Sequence, residues 1–284
     1  MAETAFQTQY RDEFIAGFEA RQSLVRDYVT TEAVIKGNTA TFLVADSGSA
    51  TAVTRGVNGL IPARADNNAQ LSATLVEWHD LVRKTDFNVF ASQGNQRAIM
   101  QQTSMGVVNR KIDSDIITEL DTGTQYAGAA YVTASLGLTL RAKTILGVAE
   151  VPWDDNICML VTPAYEAYMM ETKEFSSREY IDGGPMRNAD PAWRDKPRPY
   201  HWLGMTWIVH PNLPGVGTST EECFCFHKSA IGHAYDSSGI ESRVGYDEEQ
   251  DYSYARTSIY MGSQILQNTG IVTIHHDGSA FAAT

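Results

Sequence analysis

The sequence is poor in several features that mark common protein classes. Its 284 residues include three cysteines, Cys158, Cys223 and Cys225. This odd number, without the spacing of a disulfide framework, indicates reduced thiols and folding inside a cell. No apolar run approaches the roughly 20 residues that span a membrane, and residues 1–10 lack the basic segment and apolar core of a secretory signal. We therefore expect neither a membrane protein nor a secreted disulfide-rich domain.

Positive charge is scarce as well. The chain has 22 Lys and Arg against 34 Asp and Glu, which gives a formal net charge of -12 at pH 7. An acidic surface repels phosphates, so we do not expect a nucleic-acid reader that works through a basic patch. An acidic wall that confines nucleic acid without gripping it is still compatible with this composition.

The motifs of common enzymes and nucleotide-binding proteins are missing. The chain lacks G-x-x-x-x-G-K-[ST], G-x-G-x-x-G after a strand, H-E-x-x-H, G-x-S-x-G and C-x-x-C. Together these absences argue against a common enzyme class, and we expect no catalytic residues and no cofactor.

Two clusters have the residue types of metal ligands. Cys223, Cys225 and His227 alternate along a predicted strand and so share one face. Ligands two positions apart on a strand are roughly 7 Å apart, which is awkward for one tetrahedral ion, and buried free cysteines often serve as small apolar residues. We therefore predict no metal. His275 and His276 point to opposite faces of the last strand, and we predict that they lie at a solvated strand end.

The dominant feature of the chain is one long helical segment, Gln93 to Gly123. No proline interrupts it, and Gly123 lies where helices commonly end. A helix of this span is roughly 40 Å long and about twice the usual length, so we predict a spine helix. An ordinary amphipathic core helix fits the local pattern equally well. Apolar residues three or four positions apart predict its buried face: Met105, Val108, Ile112, Ile116 and Leu120.

A long loop joins two predicted strands, Thr41 to Ala45 and Leu71 to Trp78. Its length of about 25 residues, without helical periodicity, indicates either a functional loop or disorder. An apolar tip in such a loop cannot be covered by its own domain, so we predict contacts with a neighbouring subunit. The predicted contact residues are Arg55, Leu60, Ile61, Pro62 and Arg64.

The other elements complete an α+β pattern. An amphipathic helix is predicted over residues 10–28 and another over Thr133 to Gly147. The apolar run Ile157 to Val161 predicts a buried strand, after which Thr162 caps a helix with Pro163 in its first position. Further strands are predicted at His201 to Val209, Glu221 to Lys228, Ile240 to Tyr246, Tyr252 to Met261 and Ile271 to His275.

In this order the segments resemble the major capsid proteins of tailed bacteriophages, the Hong Kong 97 fold. The matching stretches are TFLVADSGSATAVTRG and GLIPARADN in the loop, NRKIDSDI in the long helix, VTPAYEAYM, IVHPNLPGVGT, VGYDEEQDYSYAR and YMGSQILQNTGIVTIHHDGSA. The resemblance implies an N-terminal arm at 1–36 and an extended loop at 37–80. It also implies a peripheral domain with the spine helix at 81–125 and 240–284, and an axial domain at 126–239.

The resemblance implies a structural subunit and not an enzyme. Such proteins form pentamers and hexamers that tile an icosahedral head around packaged double-stranded DNA. A shell of this charge would contact the DNA weakly and without sequence specificity. The implied location is the virion, after assembly in the cytoplasm of the bacterial host, with separate scaffolding, portal or decoration proteins as further partners.

Two departures from the family pattern limit this resemblance. Some members join their subunits covalently through a loop lysine, but Thr39 to Trp78 contains no lysine, so we expect no such crosslink. Only about 36 residues precede the loop, so we expect any scaffolding to come from a separate protein. Two alternatives stay open: an encapsulin-type nanocompartment, which shares the fold and encloses enzymes, and a motif-poor hydrolase.

Overall fold

The computed structural model describes residues 22–31, 33–47, 50–64, 67–85, 88, 96–176, 199–236 and 238–281. Most of the predicted N-terminal helix lies outside these residues, and Arg26–Tyr28 forms a short 3-10 helix. The chain divides into two compact units. The first contains Val76–Asp113 and Tyr235–Met261, and the second contains Leu24–Leu75, Ser114–Ala234 and the described residues from Gly262 onward.

The elements alternate between helix and strand in the middle of the chain. The α-helices of the described residues are α1 (Gln96–Leu120), α2 (Leu136–Val148), α3 (Pro163–Glu171) and α4 (Lys173–Ser176). None of them is long and apolar enough to cross a membrane. The strands are β1 (Val34–Lys36), β2 (Thr39–Asp46), β3 (Asn67–Thr74), β4 (Val76–Thr85), β5 (Val132–Thr133), β6 (Ile157–Val161), β7 (Tyr200–Trp202), β8 (Met205–Val209), β9 (Glu221–His227), β10 (Ile231–Tyr235), β11 (Glu241–Asp247), β12 (Tyr252–Ile265) and β13 (Ile271–Asp277).

The first unit is an antiparallel sheet with a helix against one face. β12 pairs with β4 on one side and with β11 on the other. The face of β4 that carries Trp78 turns toward α1, because the Lys111 ammonium lies 3.9 Å from the centre of the Trp78 ring. Ser104 of the same helix donates a hydrogen bond to the backbone carbonyl of Asp80.

α1 confirms the predicted long helix, with one correction on its buried face. It has 25 residues, which corresponds to about 38 Å. Met105 is 39% exposed, so the prediction that it lies in the core is wrong. Most of the buried positions follow a step of four residues, one ridge of the helix surface, and this ridge passes through Ser104 and not through Met105; Gly106, Asp113 and Ile117 are buried beside it. Its buried members are Met100, Ser104, Val108, Ile112, Ile116 and Leu120.

The second unit is built on a six-stranded mixed sheet with the order β5-β13-β9-β6-β8-β7. β6 is buried along its whole length, as its apolar run predicts. α3 begins as predicted, with Pro163 at its start and the Thr162 hydroxyl accepting a hydrogen bond from the Tyr165 backbone N–H at 3.1 Å. Side chains of α2 and α3 share a core with the sheet, and its members include Leu146, Met159, Tyr165, Trp207, Cys225 and Val272.

Two of the predicted strands are each broken into two. His201 to Val209 forms the hairpin β7–β8, because Leu203 and Gly204 have φ angles of 57° and 76°. Positive φ at both central residues is the geometry of a type I′ turn. The pair Leu-Gly is not one of the residue pairs that predict this turn from sequence. Leu71 to Trp78 is interrupted at Leu75, between β3 and β4.

The last strand differs from the predicted domain division. Residues 240–284 were assigned together to the peripheral domain, whereas β13 pairs antiparallel with β9 in the six-stranded sheet. Both strands belong to the second unit. The pairing partner of a strand is chosen by residues remote in sequence, which the local pattern of β13 does not specify.

The predicted solvated strand end at His275 and His276 is wrong. His276 is fully buried, with Nε2 3.2 Å from Glu221 Oε2 and 3.0 Å from Thr162 Oγ1. His275 lies on the opposite face, as predicted, with its ring stacked on Tyr131 at a centroid distance of 4.6 Å. Both histidines are covered by residues of other segments. Burial lowers the pKa of His276.

We expect this buried histidine to make the subunit sensitive to acid. Because the pKa of His276 is lowered, the folded state favours the neutral ring. Its contribution to stability is complete above the unfolded pKa of about 6.5 and is lost as the pH falls below that value. The free energy of unfolding, measured with urea from pH 7.5 to 5, should fall with a slope of at most about 1.4 kcal/mol per pH unit from this group.

His276→Gln should flatten this slope, and the difference between the two proteins isolates His276 from other titrating groups. His201→Gln is the control, because it makes the same substitution at a histidine that has half of its side chain exposed. An identical slope in wild type and His276→Gln would show that His276 does not carry the acid sensitivity.

Candidate inter-subunit site on the extended loop

The loop stands on a three-stranded sheet with the order β1-β2-β3. β2 and β3 pair from Thr39↔Thr74 to Asp46↔Asn67, so the ladder includes residues that the sequence left in the loop. β1 covers only the first three residues of β2. The loop proper is therefore residues 47–66, shorter than predicted.

A small apolar cluster holds the base of the loop within the second unit. It contains Ala40 and Phe42 of β2, Ala73 of β3 and Ala234 of β10. The Phe42 ring lies directly on Gly232, where a Cβ atom would be 2.6 Å from the ring. Such a distance is too short for any side chain, so the packing of the loop base requires glycine at this position.

Every described side chain between residues 50 and 64 is exposed. Leu60 is 74% and Ile61 66% exposed, and Val57 is exposed completely. Single exposed apolar residues are ordinary, but several of them in one segment mark an interaction surface. The structure therefore leaves the predicted contact residues Leu60 and Ile61 without cover from the described part of their own chain.

Three further exposed apolar residues were not predicted from the sequence: Leu43 in β2, and Val53 and Val57 in the loop. For Leu43 a signal was available: successive residues of a strand point to opposite faces, so a buried Phe42 requires an outward Leu43. Val53 and Val57 follow no periodicity that identifies them.

Two backbone hydrogen bonds shape the tip. The N–H of Gly56 donates to the carbonyl of Leu60 at 3.0 Å, and the N–H of Gly59 donates to the carbonyl of Gly56 at 2.8 Å. Gly59 has a φ of +72°, which glycine adopts without strain. The turn places Val57 at the apex, and Pro62 follows the exposed pair on the returning side.

The tip differs in charge from the rest of the chain. Residues 47–64 include two arginines, Arg55 and Arg64, and no acidic residue, whereas the whole chain has a net charge of -12. Arg55 makes no hydrogen bond or ion pair with any residue that the structure describes. The segment thus combines exposed apolar groups with positive charge, and it can form complementary contacts with an acidic partner.

Cys223, Cys225 and His227, for which we predicted no metal, contact other groups of the protein. The Cys223 sulfur accepts a hydrogen bond from the backbone N–H of Thr162, and Cys225 Sγ lies 3.6 Å from a methionine sulfur. His227 Nε2 lies 2.9 Å from Asp154 Oδ1. Burial raises the pKa of both thiols to about 12, so both are neutral at pH 7. Within the described ranges, no three His, Cys, Asp or Glu side chains are arranged to hold a metal ion.

An open depression of about 380 Å³ lies along α2. Its lining contains one titratable side chain, Arg141, and the exposed Val148. General acid–base chemistry needs converging titratable groups, which this lining does not supply. The full lining is Gln125, Arg141, Thr144, Ile145, Val148 and Ala149.

Comparisons with known proteins cover nearly the whole chain. The profile of a family described as phage capsid protein matches residues 2–278. A search of curated proteins gave no match. The chain is similar to a solved structure from Mycobacterium phage Che8, with a TM-score of 0.71 and 17% identity over 96% of this chain and 98% of that one.

Two further solved structures show the same similarity. The capsid of Ralstonia phage GP4 has a TM-score of 0.71 at 10% identity, over 96% of this chain and 95% of that one. The capsid of Cyanophage P-SCSP1u has a TM-score of 0.69 at 12% identity, over 96% and 93%. At such low identity these similarities concern the fold, and they confirm the α+β fold of the Hong Kong 97 type that the sequence predicted.

Proposed function

Because the chain belongs to the phage capsid protein family, we propose that its extended loop ties each subunit to a neighbouring subunit of a bacteriophage head. The chain is a structural major capsid protein of the tailed-phage type, located in the capsid of the virion. The encapsulin alternative is not favoured, since the matching structures include phage capsids and the capsid of a GTA particle.

The observation that carries the proposal is the exposure of the loop tip. Leu60 and Ile61 expose most of their surface, although each would gain roughly 1.5–3 kcal/mol on full burial. The adjacent arginines are positively charged in a chain with a net charge of -12, so a second copy offers charge complementarity. We assign Arg55, Leu60, Ile61, Pro62 and Arg64 to this contact.

The wider assembly follows from the family and the charge. We infer that subunits form pentamers and hexamers, assembled in the cytoplasm of the host, with scaffolding, portal and decoration functions supplied by other proteins. The net charge of -12 limits contact with packaged double-stranded DNA to weak interactions without sequence specificity. The first unit would act as the peripheral domain, and the second unit as the axial domain with the extended loop.

We further infer that the protein has no enzymatic activity. The family is structural, and the depression along α2 has a single titratable group. A motif-poor hydrolase would need a nucleophile or a paired acid and base in such a place.

We expect the purified protein to form closed shells or capsomer rings, seen by electron microscopy and light scattering. Ile61→Asp should reduce shell yield at least tenfold, because it places a carboxylate in an apolar contact. Thr51→Asp is the matched control, since it adds the same charge at another exposed position of the loop and should assemble. A strict monomer at high concentration, even with a separate scaffolding protein added, would contradict the assignment.

A further inference from the structure

One face of the sheet in the first unit carries three arginines and three tyrosines, and we propose that it docks the acidic turn Glu248–Glu249 of a second copy of this chain. We call this surface the arginine face; its residues are Arg83, Arg243, Arg256, Tyr252, Tyr254 and Tyr260. The proposal rests on the proposed function, in which copies of this subunit assemble with one another. It concerns a contact different from that of the extended loop.

The strand register places these residues together. Arg83 of β4 pairs with Tyr254 of β12, and Arg243 of β11 pairs with Arg256 of β12. Residues an odd number apart along a strand point to opposite faces, and Arg83 is five positions from Trp78. Because the side with Trp78 lies against α1, the arginine face is the side that turns away from the helix.

The pairing of Arg243 with Arg256 leaves a positive charge uncompensated. Like charges directly opposite each other on neighbouring strands are destabilising. Arg243 has a carboxylate partner, Glu241, at 3.0 Å. Arg256 is half-buried, and its side chain forms no hydrogen bond or ion pair with any described residue. A carboxylate of another molecule would compensate the positive charge of Arg256 and so reduce its repulsion with Arg243.

The tyrosines give the face an aromatic surface. The Tyr254 side chain packs against Gly245, where a Cβ atom would be 2.6 Å from the phenol oxygen. The Arg83 guanidinium lies 4.8 Å from the centre of the Tyr252 ring. Tyrosine and arginine fixed in this way are the residue types that dominate the energetic centres of protein interfaces.

The charges on this face favour a protein over a nucleic acid. Glu77, Glu241 and Asp247 point to the same side as the arginines, as the strand register requires. Backbone N–H groups, that of Gln250 foremost, lower the pKa of Asp247, so this carboxylate stays ionised at neutral pH. A continuous row of phosphates would meet three carboxylates here, whereas a partner with separate carboxylates can be placed beside the arginines alone.

The turn between β11 and β12 supplies such carboxylates. Glu248 and Glu249 are exposed, and neither side chain has a hydrogen-bond or ion-pair partner among the described residues. The other adjacent acidic pairs of the described chain lie beside histidines: Asp154 and Asp155, and Glu221 and Glu222. Glu248 and Glu249 are therefore the adjacent acidic pair that the subunit leaves unsatisfied.

The turn cannot reach Arg256 of its own copy. The β11–β12 ladder ends at Asp247↔Tyr252, and Arg256 lies four residues further along β12, at about 13 Å for an extended strand. The turn is held at the end of the same ladder, so a second copy must supply the carboxylates. When each copy places its turn on the face of the next copy and receives a turn from a third, the contact is heterologous, and such contacts close into rings when the rotation permits.

Charge reversal tests the pairing directly. Arg256→Glu alone, and Glu248→Arg with Glu249→Arg, should each reduce shell yield at least tenfold. The three substitutions combined should restore the yield to within about threefold of wild type, because the attraction is re-formed with opposite signs. Arg141→Glu, an exposed arginine of α2, is the control and should assemble. Circular dichroism checks folding, and Arg256→Gln replaces Arg256→Glu if that variant misfolds.

Three outcomes would overturn the proposal. The first is normal assembly of Arg256→Glu, and the second is failure of the combined variant to regain assembly. The third is binding of a 30-base-pair DNA duplex by the wild type that is lost in Arg256→Glu. Sedimentation velocity compares the same variants as small oligomers, so the contact is measured even without closed shells. Absence of any wild-type assembly would count against the proposed function, whereas wild-type shells without charge rescue would count only against this contact.

Discussion

A subunit in which residues 50–64 are replaced by a short Gly-Ser linker should fold normally and form no stable shell. Every side chain that is removed is exposed, and the cluster of Phe42 with Ala73 and Ala234 stays in place. A shorter loop costs less to close, by about 0.6 kcal/mol per halving of its length, so the stability of the subunit should scarcely change. Each subunit loses the same contact, and the loss is repeated around the closed lattice.

Circular dichroism, a thermal melt and electron microscopy measure these two consequences separately. A Gly-Ser linker of the original length is the control, because it keeps the reach of the loop and removes only its side chains. We expect neither variant to assemble. Normal shells from both variants would show that the loop does not join subunits, and an unfolded subunit would show that the loop belongs to the core.

Ile112→Asp should prevent folding, whereas Met105→Asp should be tolerated. Ile112 is fully buried, and Met105 of the same helix is 39% exposed. An unpaired carboxylate buried in the core lowers the free energy of unfolding by about 4–5 kcal/mol or more, which is at the upper end of the range for single substitutions. The total stability of a domain is about 5–15 kcal/mol, so this one change removes much or all of it.

Soluble yield and urea unfolding of the two variants give the measurement. The pair is matched, because both substitutions place the same side chain in the middle of the same helix, away from its ends. Equal solubility of Ile112→Asp and wild type would mean that the buried ridge of α1 is wrongly assigned. Insolubility of Met105→Asp would instead show that this exposed position becomes buried in assembly or during folding.

Several elements were predictable because their signals are local. The apolar run Ile157–Val161 and the sequence Thr162-Pro163 place a buried strand directly before a capped helix, and both are present. A helix start depends on its first turn alone, and a buried face repeats at the spacing of the helix. The loop tip was recognised for a similar reason, since Leu60 and Ile61 are apolar residues in a segment without the periodicity of a covered element.

The sequence alone determined the long helix, the α+β pattern and an apolar, positively charged loop tip in an acidic chain. The tertiary structure decided which strands pair and which positions are covered. It joins β13 to β9, buries His276 beside Glu221, seats Phe42 on Gly232 and places Arg256 opposite Arg243. Periodicity and caps arise from sterics and hydrogen bonds within a few residues, whereas register and burial depend on partners far away in the chain, and no local pattern specifies these partners.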